Sequence, residues 1–449
     1  MATGSRAGVW VEGTTTGALI RLRLSRLTAW SAALLIVAFN LNYLLVSWLG
    51  GGQERYRSVL VAPEVPVLLL FLALGAFYVG VPRFRIGMHA WLLTLSFAAF
   101  SVWTALVSVL AHGNPRAAVT LLVPLALFAV TAGVTTALAG RIARLFAKIL
   151  PLLPFITLGL LLAFFLAGRL RFEVAGIMKP QILGGIKSSE VAIFAGLQFW
   201  YCLLALDVAR LNRGRVLLPL LGLAVAAFLL VWLLSVGSVG AVAGLLVLRA
   251  FLLSGREAKG RWLVFAVVAA VLGLGFVMLS GEFIEGLFAS KTRDFSEEGV
   301  RLPTMLMLLQ YIQSAPVTGI GLGQFAAQSY LPRAPEGLYP HNNLLGIAAE
   351  LGIPAATLYL CFVAMTCWAG LRCVRRAMRA HPGSVGGWPL ALLALLCFLY
   401  LQIKGLVQDT WQLKETYFWS GAVAGVLAAL SYVSQGGTDQ GARARALRE

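Results

Sequence analysis

Apolar residues fall in blocks of about twenty along most of this chain, separated by short polar stretches that often carry arginine. A run of about 20 apolar residues is long enough to cross a bilayer as a helix. Inside lipid the backbone must satisfy its own hydrogen bonds, so helices are the expected form. The pattern predicts spans near residues 28–49, 58–80, 87–111, 117–139, 149–168, 190–209, 216–236, 238–254, 262–281, 343–369, 387–408 and 416–433. The fold class is therefore an all-α polytopic membrane protein, a single integral domain over 1–449 with about twelve spans and one large loop over 282–342. Within that loop, Pro303 to Gln313 reads as a short amphipathic helix, Pro303 suiting its first turn. Its Met- and Leu-rich face either lies on the membrane surface or packs on the top of the bundle. Residues 434–449 read as a disordered tail.

The charges orient this bundle. Twelve spans starting from a cytoplasmic N-terminus leave both termini inside and place 23 of the 36 lysines and arginines on that face. That is the asymmetry of positive-inside loops, and it accounts for most of the +18 net charge without invoking nucleic acid. Residues 1–27 show no apolar run ahead of a cleavage site, so no removable leader is expected. Eight of the remaining 13 cations lie in two outside segments, 168–190 and 281–340. The second is the only long loop, and long loops in compact folds are usually functional. The five cysteines sit in or beside apolar runs, form no CxxC pair, and read as small buried hydrophobes.

Polar chemistry concentrates in one place. Gln313 to Leu345 holds Pro316-Val-Thr-Gly319-Ile-Gly321-Leu-Gly323-Gln-Phe325 and then Pro340-His341-Asn342-Asn343-Leu344-Leu345. His341, one of four histidines, can exchange a proton near neutral pH. Asn342 or Asn343 is suited to cap the following helix, whose N-terminus favours an anion beside His341. His89, His112 and His381 lack comparable polar company and read as ordinary interfacial residues. Arg301, Arg293, Lys179 and Lys187 are outside cations against the charge trend, and as a set they suit a bound anionic group. The Gly319, Gly321, Gly323 triplet follows no strand and reads as a tight turn rather than a nucleotide loop. Glu64 and Glu350 are the exceptions to a scarcity of acids within spans, and Glu350 lies about two turns beyond His341. There is no Walker A motif, DxD, HExxH or metal-ligand spacing.

These residues resemble the signature of the O-antigen ligase, O-antigen polymerase and protein oligosaccharyltransferase superfamily: an arginine, then the Pro-to-Phe glycine segment, then a His-Asn entry into a span. Arg301, Pro316 to Phe325, and His341 to Leu345 match it over roughly 50 residues. The resemblance implies a membrane glycosyltransferase of the C type in the bacterial inner membrane. Such an enzyme moves polysaccharide from undecaprenyl diphosphate on the periplasmic face, by inversion, with no cofactor or metal. In the ligase branch the acceptor is a sugar hydroxyl of lipid A–core oligosaccharide, completing lipopolysaccharide. By position His341 is the general base and Arg301 binds the leaving diphosphate. Gly185-Ile-Lys187-Ser-Ser-Glu190 aligns loosely with a further family pattern. Lys187, Arg293, Lys179, Asn342 and Asn343 are the remaining candidate substrate contacts. The chain departs from its relatives at Gly237-Ser-Val239-Gly240, where Val239 stands in place of an arginine. The directly adjoining long loop, and no sign of a further C-terminal domain, favour a ligase over a polymerase or protein O-oligosaccharyltransferase. A polysaccharide flippase would call for charges deep in several spans or a repeated half, and neither is present.

Overall fold

The computed structural model describes residues 9–48, 64–79, 88–174, 178–182, 188–212, 216–233, 235–254, 301–328, 340–380, 387–406, 410 and 413–434. The apolar blocks become α1 (Val9–Trp48), α2 (Glu64–Val79), α3 (Met88–Leu106), α4 (Pro115–Ile149), α5 (Leu153–Leu166), α6 (Ser188–Asn212), α7 (Leu217–Trp232) and α8 (Val236–Leu253). After these come α9 (Arg301–Ser314), the short α10 (Gln324–Gln328), α11 (Asn343–Ala380), α12 (Trp388–Lys404) and α13 (Lys414–Ser434). Five of the described segments are long and apolar enough to cross a membrane, and four shorter apolar helices accompany them. The chain is thus a polytopic helical membrane protein. The expected span 262–281, residues 282–300 and 329–339 of the expected loop, and the tail beyond Ser434 lie outside the described residues.

Helix boundaries extend the sequence reading at several points. α1 starts at Val9, well ahead of the predicted span, and α11 continues to Ala380 with four arginines in its last turns. One of these, Arg372, lies over the Trp368 ring at 4.3 Å, the pairing of cation and aromatic expected where a span meets the interface. α3 ends in a π-helical turn, Val107–Ala111. The segment after α5 departs from the all-α expectation. Leu170–Val174 (β1) and Met178–Ile182 (β2) pair antiparallel, with Glu173 opposite Lys179 and Phe172 opposite Pro180. Leu-Arg-Phe-Glu-Val alternates apolar and charged positions, which is the strand period.

α6, α12 and α13 are buried along most of their described length and form the centre of the bundle. Between apolar helices in lipid, close packing rather than burial from water holds the contact. α13 shows how. Gly421 and Gly425, four residues apart, press on α4 so closely that a Cβ would sit 2.6 Å from the Phe128 carbonyl oxygen and 2.4 Å from that of Ala132. The Thr136 hydroxyl donates to the Gly425 carbonyl across this seam at 3.2 Å. Phe97 on α3 meets Phe128, Phe362 and Tyr417 with ring centroids 4.9 to 5.1 Å apart, locking α3, α4, α11 and α13 together. Two ion pairs join helices among the described residues: Arg249 with Asp207 at 2.6 Å, and Lys414 with Glu64. Glu64 begins α2, so it also faces that helix's positive end.

Candidate functional site

The glycine segment is built around a break in α11. At Gly352 the backbone leaves helical geometry, with φ +86° and ψ +165°. A break strands amide and carbonyl groups that the helix would otherwise pair. Pro316 to Gly321 supplies the partners. Ile320 N donates to Ala349 O at 2.9 Å, Gly321 N to Glu350 O at 2.9 Å, and Ile353 N to Pro316 O at 2.8 Å. Two backbones lie against each other here, and side chains would separate them. A Cβ on Gly319 would come 2.3 Å from Glu350 C, and one on Gly352 would come 2.0 Å from Val317 O. The triplet is therefore more than a turn: it docks the loop onto the broken span.

Glu350 completes the dock. It is 3 % exposed, and its carboxylate accepts from Phe325 N at 3.2 Å and from Gly323 N. Its role is to hold the loop. Beside it, Leu308 of α9, Phe325 and Ala349 form a small separate core that Tyr311 and Leu345 join. One face of α9 is thus fastened to the first half of α11, while Met305, Leu306 and Leu309 are turned outward. The inner face thus packs on the bundle, the second of the two sequence readings of this helix.

The same half of α11 begins at the His341 turn. Asn342 is the helix cap: its Oδ1 accepts from Leu345 N at 3.1 Å, and its Nδ2 donates to Leu406 O at 3.3 Å. Asn343 is buried, at 4 % exposure. Its Nδ2 donates to Thr410 Oγ1 at 3.0 Å, its Oδ1 accepts from Thr410 N at 2.8 Å, and its backbone N donates to Gly405 O at 2.7 Å. The turn is therefore clamped to the connection between α12 and α13, with His341 half-exposed above it. The amides of Asn342 and Asn343, read from sequence as candidate substrate contacts, are engaged in this clamp.

Two further residues adjoin the site that sequence reasoning did not single out. Lys404, at the end of α12 next to Gly405, is 3 % exposed, and its Nζ lies 3.5 Å from Ser235 Oγ. Ser235 in turn meets Ser238 Oγ at 2.9 Å. Gly237 to Gly240 lies inside α8, whose N-cap is Ser235. A buried lysine thus reaches the N-terminal end of the helix that carries Val239. His112, read as an ordinary interfacial residue, binds the glycine segment: its Nε2 lies 3.1 Å from Thr318 O.

Arg301 is the first residue of α9, and its side chain lies outside what is described. Leu308, which packs on Ala349 of α11, follows it by two helical turns, about 10 Å along the axis. Lys179 is placed in β2 by its backbone, while Lys187 and Arg293 lie outside the described residues.

No curated protein matches the chain. Residues 221–360, which run from α7 through the glycine dock and the His341 turn into the membrane half of α11, match the O-antigen ligase family model, so this stretch of the chain carries an O-antigen ligase family domain.

Proposed function

We propose that the chain is an O-antigen ligase. It would transfer O-antigen polysaccharide from undecaprenyl diphosphate to a sugar hydroxyl of lipid A–core, on the periplasmic face of the inner membrane. The observation that supports this most is the union of three motif parts in one unit. The Arg301 helix, the glycine dock and the His341 turn all fasten to the first half of α11, within the family-matched region.

The chemistry follows from the parts. His341 accepts the proton of the acceptor hydroxyl as its oxygen attacks the anomeric carbon. The bond from that carbon to the diphosphate breaks from the opposite side, and configuration inverts. The leaving diphosphate takes both electrons, and cations stabilise its charge. Arg301 serves it bidentately. Lys404 brings positive charge to the Ser235 turn in place of Val239, and Lys179, Lys187 and Arg293 add to the field. Asn342 and Asn343 act by holding the turn, so that His341 is oriented before substrate arrives.

The test uses the full chain in nanodiscs with purified lipid-linked donor. Three acceptors are offered in parallel: lipid A–core, a second lipid-linked unit, and a serine-bearing pilin-like protein. Transfer to lipid A–core alone is expected; use of either other acceptor would assign the chain to the polymerase or protein-glycosylating branch. His341→Ala should keep its melting temperature and lose about 10²- to 10⁴-fold in rate. Full transfer by that variant would sink the general-base role, and full transfer by Arg301→Lys would remove the bidentate diphosphate contact.

A further inference from the structure

α11 ends in a charged strip far from the His341 turn. From Ile353 to Leu371 the chain runs nineteen residues without a charge. Arg372, Arg375, Arg376 and Arg379 then follow within the last turns of the helix. Twenty residues separate Gly352 from Arg372, a rise of about 30 Å, which matches the hydrocarbon thickness of a bilayer. With the Gly352 break at one boundary, Arg372 stands at the other. Its stacking on Trp368 agrees, because tryptophan gathers at that level. The strip from Arg372 to Arg379 rises about 10 Å more, enough to traverse a headgroup layer of about 5–8 Å.

The four arginines share one face. They are spaced i, i+3, i+4 and i+7, the helical period, and all four are exposed. The opposite face is fixed. Cys373, Val374 and Ala377 are fully buried, and Gly370 lies so near α12 that a Cβ would come 2.7 Å from Leu395 Cδ1. The helix end therefore cannot turn to spread its charge. Arg372 stands one turn from Arg375 and Arg376, and both of these stand one turn from Arg379. Like charges at such spacings destabilise a helix. Residues 351–408 contain no aspartate or glutamate. Among the described residues, no carboxylate pairs with Arg375, Arg376 or Arg379. The negative end of the helix dipole compensates Arg379, which lies in the last turn, and fades before Arg375. A charge bias between the two sides of the membrane needs cations in the polar connections, not cations aligned on one fixed face.

We infer that this face binds the phosphate of an anionic phospholipid headgroup, in the leaflet away from His341. Guanidinium groups hold phosphate oxygens bidentately. The span sets the strip at the depth of the lipid phosphates, so the occupant is a lipid and not a soluble anion. The site is independent of glycosyl transfer, and its test needs no donor or acceptor.

The full chain is compared with its Arg375→Gln, Arg376→Gln, Arg379→Gln triple variant. Both are placed in nanodiscs of phosphatidylcholine alone and of phosphatidylcholine mixed with phosphatidylglycerol. Glutamine has a helix propensity close to that of arginine. In the neutral lipid the variant should melt no lower than the parent, because the like-charge contacts are gone. A lower melt there would make the arginines structural and count against the site. The parent should melt higher with phosphatidylglycerol than without it, since a ligand of the folded state stabilises that state. The variant should lose most of this gain. In native mass spectrometry, apparent affinity for phosphatidylglycerol should fall about 5-fold per arginine, about 100-fold in the triple variant. Lysine at the same three positions should restore part of it, because the charge is kept and the fork is lost. Equal phosphatidylglycerol retention by parent and triple glutamine variant overturns the inference. An equal parent melt in the two lipids does so too. If inorganic phosphate raises the parent's melt in neutral nanodiscs as much as phosphatidylglycerol does, the occupant is a free anion and the lipid assignment fails.

Discussion

Asn343→Ala tests the clamp under His341. The substitution removes the donor to Thr410 Oγ1 at 3.0 Å and the acceptor for Thr410 N at 2.8 Å. It leaves the Asn343 backbone bond to Gly405 in place. Thr410 is fully buried, and its hydroxyl keeps its bond to Leu401 O at 2.8 Å, so the group left unsatisfied is the Thr410 amide. Losing two hydrogen bonds and stranding one buried amide costs about 2–4 kcal/mol. That cost falls on the α12–α13 connection and not on the whole bundle. Local opening of that connection should therefore become about 30- to 900-fold more frequent. Amide hydrogen exchange on the full chain reads it directly, at Thr410 and the residues just before it. Transfer should fall by about tenfold or more, because a loosened turn no longer orients His341. A Thr410→Val cycle separates the side-chain bond from the rest, with an expected coupling near 1 kcal/mol. Unchanged exchange at Thr410 in Asn343→Ala would refute the clamp. Unchanged exchange with lost transfer would instead make Asn343 a direct substrate contact.

Further predictions concern the dock, the buried charges and the cation. Gly352→Ala should destabilise the chain by several kcal/mol and release the loop, because it strains a positive φ and drives a Cβ onto Val317 O; thermal unfolding and limited proteolysis near residue 320 check it, and a parent-like melt would contradict the docked geometry. Asp207→Asn should cost about 2–4 kcal/mol by leaving the half-buried Arg249 without its carboxylate. Adding Arg249→Met should recover much of that loss in the same melting assay. Lys404→Met should raise the KM for the lipid-linked donor more than that for the acceptor, and a uniform change in both would argue against a diphosphate role.

Much of this architecture was legible because apolar spans and polar functional residues contrast so sharply. Pro340-His341-Asn342-Asn343 stands out against the surrounding sequence, and its cap could be read from the asparagines alone. What escaped the sequence was contact across distance. Glu350 is a carboxylate inside an apolar run, and nothing local says that it binds amides 25 residues earlier. His112 lies 206 residues from Thr318, so its partner appears only when α3 packs against α11. The Gly352 break was hidden because Leu351-Gly-Ile-Pro354 remains apolar enough to pass as continuous span. The hairpin at Leu170 is different: its two-residue alternation is present in the sequence, in a segment too short to stand out between two apolar spans.

The break at Gly352 has a mechanical consequence. A continuous helix transmits tilt along its length, and spans tilt to match the bilayer they occupy. In α11 the segment that follows the His341 turn is secured to the loop, α9 and the α12–α13 connection, while the segment beyond Gly352 continues the candidate span. A change in bilayer thickness is therefore expected to tilt the segment beyond Gly352 more than the docked one, and spin-label distances across the break in thin and thick bilayers would stay equal if the helix moved as one piece. The break would so keep the His341 turn in register with the loop while the bilayer around the span changes.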